Sequence, residues 1–353
     1  MMQMRKIILL GILIVAAGFG KRFAPEPYHF PELAYFPPMP LAGDNPVTEA
    51  GVDLGRHLFY DPILSRDSTL ACASCHKQAA AFSDAPNVFS KGHNEALLAR
   101  NTLPLFNLAW YPTLFWDGRA VSVEEQVFHP VRAHEEMNLQ WPVAVQRLKR
   151  SNFYKAKFRE AFGSRQVDSV SVAKAIAQFE RTLLSYRSKY DLVLAGKAFF
   201  TQEEYEGFEL ANDMTKGDCL HCHSSDADPL GTTLGFSNNG LDRATVADDY
   251  HDKGRGAITG KKLDYGKFKI PSLRNVALTA PYMHDGRFKK LEEVMDFYSE
   301  GVQPGVNTDA KMGMAYQHGV HLTKKEKRKI ILFLQTLTDS AFVTDAAFSN
   351  PFL

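Results

Sequence analysis

The sequence predicts a mainly α-helical protein built from two similar halves. Apolar residues recur at helical spacing in several segments, whereas few segments alternate with the two-residue period of a strand. A Cys-x-x-Cys-His motif occurs once in each half, at residues 72–76 and 219–223. Each copy is followed by an Arg-Asn pair and then by Asp-Gly-Arg, at 117–119 and 285–287. This repeated order predicts two domains that are related by pseudo-symmetry.

Four helices can be placed from their patterns. Asn45 is expected to cap the first helix, and Pro46 suits its first turn. Thr323 and Glu326 have the spacing of a capping box, which predicts that the last helix begins there. We also match Arg100-Asn101 in the first half to Arg274-Asn275 in the second. The helices are predicted over about 46–60, 170–194 and 202–213 and from 323 to 337.

Composition and charge limit the classes of function. The chain has 353 residues, of which 45% are hydrophobic and 23% are charged. That is ordinary for a globular protein and is sufficient for two domains of about 150 residues each. The formal net charge of +1 provides no global attraction to nucleic acid, so no nucleic-acid partner is expected.

The N-terminus has the pattern of an export signal. Residues 1–20 begin with a short basic segment, which is followed by an apolar run. The run is short for a membrane span, which takes about 20 residues. A cleaved signal peptide is therefore predicted, and an uncleaved N-terminal anchor is the alternative. Residues 21–45, which are rich in proline and aromatic residues, are expected to form an extended lead-in.

The two Cys-x-x-Cys-His motifs are typical of covalent haem c attachment. The two thiols form thioethers with the haem, and the histidine that follows becomes the proximal iron ligand. A structural zinc site and a disulfide are the alternatives for a single copy, but the two copies use all four cysteines of the chain. Two haem c groups are therefore predicted, held by Cys72, Cys75 and His76 in the first half and by Cys219, Cys222 and His223 in the second.

Longer strings of residues resemble the bacterial di-haem cytochrome c peroxidase family, which includes the MauG-like enzymes. The resemblance covers roughly residues 45–340 and implies two cytochrome-c-like haem domains, at 46–190 and 191–345. The strings that carry it lie at 54–61, 72–76, 99–102, 115–120 and 124–126 in the first half, and at 219–223, 271–282 and 284–286 in the second.

The resemblance implies a peroxidatic haem in the N-terminal domain and an electron-entry haem in the C-terminal domain. Hydrogen peroxide would be reduced in the periplasm with electrons from a small donor cytochrome or cupredoxin, and a homodimer is compatible with this. A MauG-like oxidase that acts on a partner protein is the first alternative. The absence of a tryptophan at 216–218 argues against it, because MauG itself oxidises its protein substrate through a tryptophan just before its second haem motif. A non-catalytic di-haem electron carrier is the second alternative.

The resemblance assigns the catalytic acid–base to Glu136, twenty residues after Trp116. Cleavage of the O–O bond needs a group that moves a proton from the near oxygen of peroxide to the far one, and a carboxyl group with a raised pKa can do this. From residue types alone, the neighbouring Glu135 is a rival. Gln126 and Pro130 match the family's distal-side positions, and Trp116 matches an electron relay between the haems. A packed core aromatic is the alternative for Trp116.

Further residues match the positions of the sixth iron ligands. In classical members a histidine at the position of His93 ligates the resting peroxidatic iron and later leaves, whereas MauG-like enzymes lack it; a solvated loop histidine is the alternative. Tyr298 stands where classical members have a methionine, as in MauG-like enzymes. A phenolate stabilises ferric iron relative to methionine. Met295, one turn earlier on nearly the same predicted helix face, is the alternative ligand.

The resemblance also implies a Ca²⁺ between the domains. Its ligands would be the side chain of Asn101 and the backbone carbonyl groups of Thr279 and Pro281. Ligation by oxygen atoms alone suits a hard cation. A role of Asn101 in capping a turn is the alternative.

Overall fold

The computed structural model describes residues 23–163, 167–223 and 229–353. The predicted signal peptide or anchor at 1–20 lies outside these residues. Within them, no helix is long and apolar enough to cross a membrane. Helices dominate, and the described strands form a single two-stranded antiparallel sheet that pairs Phe236 with Lys269. The prediction of a mainly α fold is confirmed.

The described parts of the chain contain thirteen α-helices, and short 3₁₀ turns connect many of them. The helices are α1 (Glu49–Tyr60), α2 (Cys72–Cys75), α3 (Val123–Arg132), α4 (Trp141–Arg150), α5 (Asn152–Phe162), α6 (Ser169–Thr182), α7 (Lys189–Leu194), α8 (Gln202–Asn212), α9 (Gly256–Thr259), α10 (Leu291–Asp296), α11 (Gly313–His318), α12 (Lys324–Gln335) and α13 (Ser340–Thr344), and the strands are β1 (Phe236–Ser237) and β2 (Phe268–Lys269).

The two halves repeat one packing arrangement. The helix before each Cys-x-x-Cys-His motif crosses a later helix of its own half, α1 against α6 and α8 against α12. Both crossings require a glycine. A Cβ at Gly55 would overlap the carbonyl oxygen of Ala175, and a Cβ at Gly207 would overlap that of Lys329. Because only glycine allows so close a backbone approach, the two crossings are equivalent, as the predicted pseudo-symmetry requires.

The predicted match between Arg-Asn pairs is wrong. Asn107 and Asn275 each lie nine residues before the aromatic residue that precedes Asp-Gly-Arg. Both have left-handed backbones, with φ of 54° and 56°, and each precedes a 3₁₀ turn. Both side chains are buried. Asn275 therefore corresponds to Asn107 and not to Asn101, because the structural repeat follows backbone conformation rather than the Arg-Asn dipeptide.

The first helix begins later than predicted. Helix α1 starts at Glu49, and the hydroxyl oxygen of Thr48 accepts a hydrogen bond from the amide of Gly51 at 3.1 Å. Asn45 is buried instead and donates to the Glu124 carboxylate at 2.6 Å. The amide of Asn45 thus has a tertiary partner, which leaves Thr48 as the cap.

The single helix predicted over 170–194 is also wrong, because the chain leaves helix α6 after Thr182 and re-enters one at Lys189. The side chain of Asn107 accepts from the amide of Ser185 at 2.9 Å and donates to its carbonyl at 3.0 Å. These bonds replace those that a continuous helix would make at this position. Ser188 then caps α7. The connection between the halves is therefore non-helical.

The other two helix predictions are confirmed. Helix α8 covers Gln202–Asn212. Before α12, the Thr323 hydroxyl accepts from the amide of Glu326 at 3.2 Å, and the Glu326 carboxylate accepts from the amide of Thr323 at 2.7 Å. This is the reciprocal pair of the predicted capping box.

The C-terminal segment returns to the first half. The core of the second half runs from Tyr190 to Leu337. Beyond it, Phe342 and Phe348 pack in a core cluster of the first half. The hydroxyl of Tyr60 in α1 donates to the carbonyl of Phe348 at 2.7 Å. By its contacts, the chain end belongs to the N-terminal half.

Candidate active site

The first Cys-x-x-Cys-His motif presents its histidine in the form that a metal requires. Helix α2 ends at Cys75, and the amide of His76 donates to the Cys72 carbonyl at 2.9 Å. The His76 Nδ1 lies 2.7 Å from the carbonyl oxygen of Phe82. A carbonyl only accepts hydrogen bonds, so Nδ1 carries the proton and Nε2 keeps its lone pair. Burial lowers the pKa of His76 and so favours this neutral imidazole.

The second motif repeats this geometry. The amide of His223 donates to the Cys219 carbonyl at 2.9 Å, and Nδ1 of His223 lies 2.8 Å from the carbonyl oxygen of Pro271. Burial again lowers the pKa of the imidazole. All four cysteines lie in the described part of the chain and none forms a disulfide. Both motifs therefore fit haem c. In each, a backbone carbonyl holds Nδ1 of the histidine, which leaves Nε2 to bind the iron.

A cavity of about 1170 Å³ opens beside the first motif and extends between the halves. Cys72, Cys75 and His76 line one part of it, and residues of the second half, Lys269 and His284, line another. The remaining predicted catalytic residues meet in the same space: Trp116, Gln126, Pro130, Glu135 and Glu136.

The two adjacent glutamates differ in burial. Glu135 is exposed, whereas Glu136 is half-buried. Burial raises the pKa of Glu136, Arg119 opposes this shift, and Glu135 adds to it. A carboxyl group whose pKa lies nearer neutrality can both accept and return a proton. The environment of Glu136 suits an acid–base role better than that of Glu135.

Helix α3 carries two of the distal residues one turn apart. Pro130 has no N–H, so it cannot donate the helical hydrogen bond to the carbonyl of Gln126. The helix is anchored at its other end, where Arg181 makes a bidentate ion pair with Glu124 at 2.6 and 2.8 Å. This anchor holds Gln126 at the cavity wall.

Trp116 joins the two halves. Its indole N–H donates to the Asn101 carbonyl at 2.8 Å, and its own carbonyl accepts from the amide of Lys269 at 2.8 Å. The indole ring lies 6.5 Å from the ring of His284 in an edge-to-face arrangement. His284 in turn stacks on Phe268 at 3.6 Å. An aromatic contact therefore crosses from the first half to the second.

The ring of His93 is directed away from the site. His93 is not among the described residues that line the cavity. Its Nδ1 lies 3.2 Å from a carboxylate oxygen of Asp67, and its side chain is only 10% exposed. Its main-chain amide, however, donates to the carbonyl of Glu136 at 2.7 Å.

The helix type changes between Met295 and Tyr298, because helix α10 ends at Asp296 and a π-helical turn covers Phe297–Gly301. Tyr298 packs against the same core cluster as Met295. Met295 is 3% exposed and packs in the core of the second half. The Tyr298 hydroxyl accepts from the Asn239 amide at 3.1 Å. Burial raises the pKa of Tyr298 to about 12, and the nearby thiols of Cys219 and Cys222 add to the shift. Tyr298 therefore lies close to the second haem motif.

The residues matched to a calcium site lie partly together. The side-chain amide of Asn101 donates to the Val88 carbonyl at 2.9 Å, and its main-chain amide donates to the His284 carbonyl at 2.7 Å. A Cβ at Gly286 would contact both Val88 and Pro281. Pro281 therefore lies near the segment of Val88 that Asn101 also contacts. The hydroxyl of Thr279 donates to the carbonyl of Val276 in its own half.

Two buried ionisable residues at the cavity, Glu180 and Lys269, were not predicted from the sequence. Glu180 is 3% exposed, and no described group bonds its Oε2. Burial raises the pKa of Glu180 to about 8. Lys269 lies 3.5 Å from the ring centre of Tyr111, and burial lowers its pKa to about 7. A carboxylate within the apolar pattern of α6 could have identified Glu180 from the sequence. No comparable sequence feature marks Lys269.

Two histidine-bearing haem motifs, the first of which lines a cavity together with the carboxyl group of Glu136, define a di-haem c-type oxidoreductase. The chain belongs to the di-haem cytochrome c peroxidase family, whose model matches residues 49–199. Haem c is therefore its cofactor, and its activity is of the peroxidase class.

Individual relatives include both branches of this family. The chain is 35% identical over 309 residues to the methylamine utilization protein MauG of Methylorubrum extorquens, covering 83% of this chain and 79% of that protein. It is 33% identical over 308 residues to the cytochrome c551 peroxidase of Nitrosomonas europaea, covering 86% and 84%. Among solved structures, a MauG-like protein associated with microbial copper homeostasis superposes with a TM-score of 0.84 at 34% identity, covering 92% of this chain and all of the other.

Proposed function

We propose that this protein reduces hydrogen peroxide to water in the periplasm with electrons from a small redox protein. The chief support is the half-buried carboxyl group of Glu136, whose pKa is raised by desolvation, in the same cavity as Cys72, Cys75 and His76. An electron carrier without catalysis needs no such group. Residues 1–20, with the pattern of an export signal, support the location.

The chemistry of the pocket follows from its residues. Haem bound through His76 would supply the redox-active iron at which peroxide reacts. Glu136 takes the proton from the near oxygen of peroxide and delivers it to the far oxygen, so that water can leave. Gln126, on the adjacent wall, orients the peroxide by hydrogen bonding. The full reaction consumes two electrons and two protons for each peroxide and releases two water molecules.

Electrons would enter at the C-terminal haem and cross the interface at Trp116. The contacts of Trp116 with Asn101, His284 and Lys269 support this route, because they hold the indole rigidly between the halves. We also propose that a Ca²⁺ bound by Asn101, Thr279 and Pro281 stiffens this interface. The site is supported by the hydrogen bond from Asn101 to the Val88 carbonyl and by the position of Val88 and Pro281 beside Gly286.

Oxidation of a partner protein is the second candidate function. Tyr298 favours it, because a phenolate at the second haem lowers the potential and makes that haem a poor acceptor for ordinary donors. Relatives named MauG and MauG-like also favour it. The lack of a tryptophan at 216–218 counts against it.

The proposed function predicts a defined stoichiometry. The haem-loaded protein, mixed with hydrogen peroxide and a reduced small cytochrome c or cupredoxin, should oxidise two donor molecules for each peroxide. A variant with Cys72 and Cys75 changed to Ser should keep the second haem but lose turnover, since the peroxide site is gone. A haem pair that reduces one equivalent of peroxide by giving up one electron each, and then fails to oxidise the donor, would instead favour the second candidate. Two haems that are inert to peroxide would indicate a carrier.

The ligand of the second haem can be tested by substitution. Tyr298→Phe should change the optical spectrum of that haem and raise its reduction potential, because an anionic donor that favours ferric iron is removed. Met295→Leu, which conserves volume in the core, should change neither. A redox titration followed by absorbance measures both. The reverse pattern would make Met295 the ligand.

A further inference from the structure

Two loops contact the segment that carries Glu136. The amide of His93 donates to the Glu136 carbonyl at 2.7 Å, and the amide of Arg66 donates to the carbonyl of Met137 at 2.9 Å. The loop of His93 also approaches very closely, since a Cβ at Gly92 would overlap the carbonyl of Glu135. The backbone on both sides of the Glu136 side chain is thus held by neighbouring loops.

The two neighbouring loops are joined to each other by side chains. Nδ1 of His93 lies 3.2 Å from Oδ2 of Asp67, a close polar contact rather than an aligned hydrogen bond. Asp67 is fixed in turn, because Oδ1 accepts from the hydroxyl of Thr69 at 2.6 Å and from its amide at 3.2 Å. The chain segments of Asp67, His93 and Glu136 therefore form a closed set of contacts.

We propose that His93 and Asp67 are positioning residues for Glu136: their contact fixes the two loops whose main-chain amides hold the acid–base in the pocket. The inference rests on the proposed role of Glu136 in peroxide reduction. It assigns His93 a function other than ligation of the resting iron. The observation that carries it is the combination of a ring turned toward Asp67 and an amide bonded to Glu136.

The expected effect is on rate rather than on folding. Asp67 is 42% exposed, and an ion pair with an exposed partner adds little to stability. Proton transfer is far more sensitive, because misplacing a reacting group by about 1 Å costs on the order of 10²-fold in rate. A partial loosening of the loops should therefore slow the reaction about tenfold in a protein that remains folded.

The test is a set of variants in the haem-loaded protein. Asp67→Asn and His93→Gln should each slow the reaction with hydrogen peroxide about tenfold, measured by stopped-flow absorbance. The double variant should be no slower than the slower single one, because both changes break one contact. In a Glu136→Gln background neither change should slow the reaction further. A merely structural role would slow that background too.

Glu95→Gln provides the matched control. Glu95 lies in the same loop and pairs with Lys91 at 2.7 Å, but both side chains are largely exposed. This variant should react like the wild type. Electron paramagnetic resonance of the oxidised protein supplies an independent readout, in which the N-terminal haem should have the same spin state in the wild type and in His93→Gln.

Two results would overturn the proposal. One is a low-spin N-terminal haem that becomes high-spin and more reactive in His93→Gln, which would make His93 an iron ligand. The other is a wild-type rate in both single variants. Failure of the proposed function looks different, because the wild-type protein itself would then either not react with peroxide or react without oxidising the small redox donor.

Discussion

Replacing Glu136 with Gln should slow the reaction with hydrogen peroxide by about 10²–10⁴-fold, the range usual for a positioned acid–base. The amide keeps the size of the side chain but cannot take up and return the proton. Both haems should remain attached with nearly unchanged spectra, because Glu136 contributes to neither motif. Stopped-flow measurements of the haem-loaded variant give the rate.

The adjacent carboxylate is the natural control for this variant. Glu135→Gln changes the same functional group one residue away, but at an exposed position. It should react at close to the wild-type rate.

The wild-type rate should also fall at low pH, because Glu136 must be ionised to accept the proton and burial raises its pKa. In Glu136→Gln, the rate should no longer fall at low pH in this way. A wild-type rate in Glu136→Gln with a slow Glu135→Gln would transfer the role to Glu135.

Replacing Asp191 with Ala should lower the free energy of unfolding by about 3–5 kcal/mol, because it leaves a buried cation without its partner. Arg274 is 1% exposed, and its Nη1 donates to Asp191 at 3.0 Å while its Nε donates to the Ser185 carbonyl at 3.0 Å. Asp191 also accepts from the Ser188 amide at 2.7 Å at the start of α7. Urea denaturation followed by far-ultraviolet circular dichroism measures the loss.

An exposed pair on the same half is the matched control. Glu203 pairs with Arg328, and the two side chains are 44% and 64% exposed. Glu203→Ala should cost about 1 kcal/mol or less, because water already solvates both charges. The combined change Asp191→Leu and Arg274→Met should recover much of the lost stability, since it removes both buried charges. Equal losses in Asp191→Ala and Glu203→Ala would contradict this account of the buried pair.

Local chemistry made several features readable in the sequence. The Cys-x-x-Cys-His motifs hold everything that thioether attachment and proximal ligation need within five residues. The capping box at Thr323 and Glu326 likewise acts over a single helical turn. The repeat of motifs revealed the two similar halves, although the Arg-Asn dipeptides suggested the wrong correspondence between them.

Other features depend on partners that are distant in the chain. The break after Thr182 arises because Asn107 bonds Ser185, a contact that no helical periodicity in the segment reveals. The π-helical turn that contains Tyr298 is likewise not indicated by residue spacing in that segment. The contact between His93 and Asp67 joins two loops, and nothing in either loop predicts it.

The sequence by itself therefore determined the cofactor, the mainly α class, the two halves and the family. Only the tertiary structure decided which of two adjacent glutamates is the less exposed, where the ring of His93 lies, and that Glu180 and Lys269 face the cavity. The physical reason is the distance along the chain over which each interaction acts. Covalent attachment and helix capping act between residues a few positions apart, whereas burial and the pKa shifts it causes depend on which distant segments pack around a group.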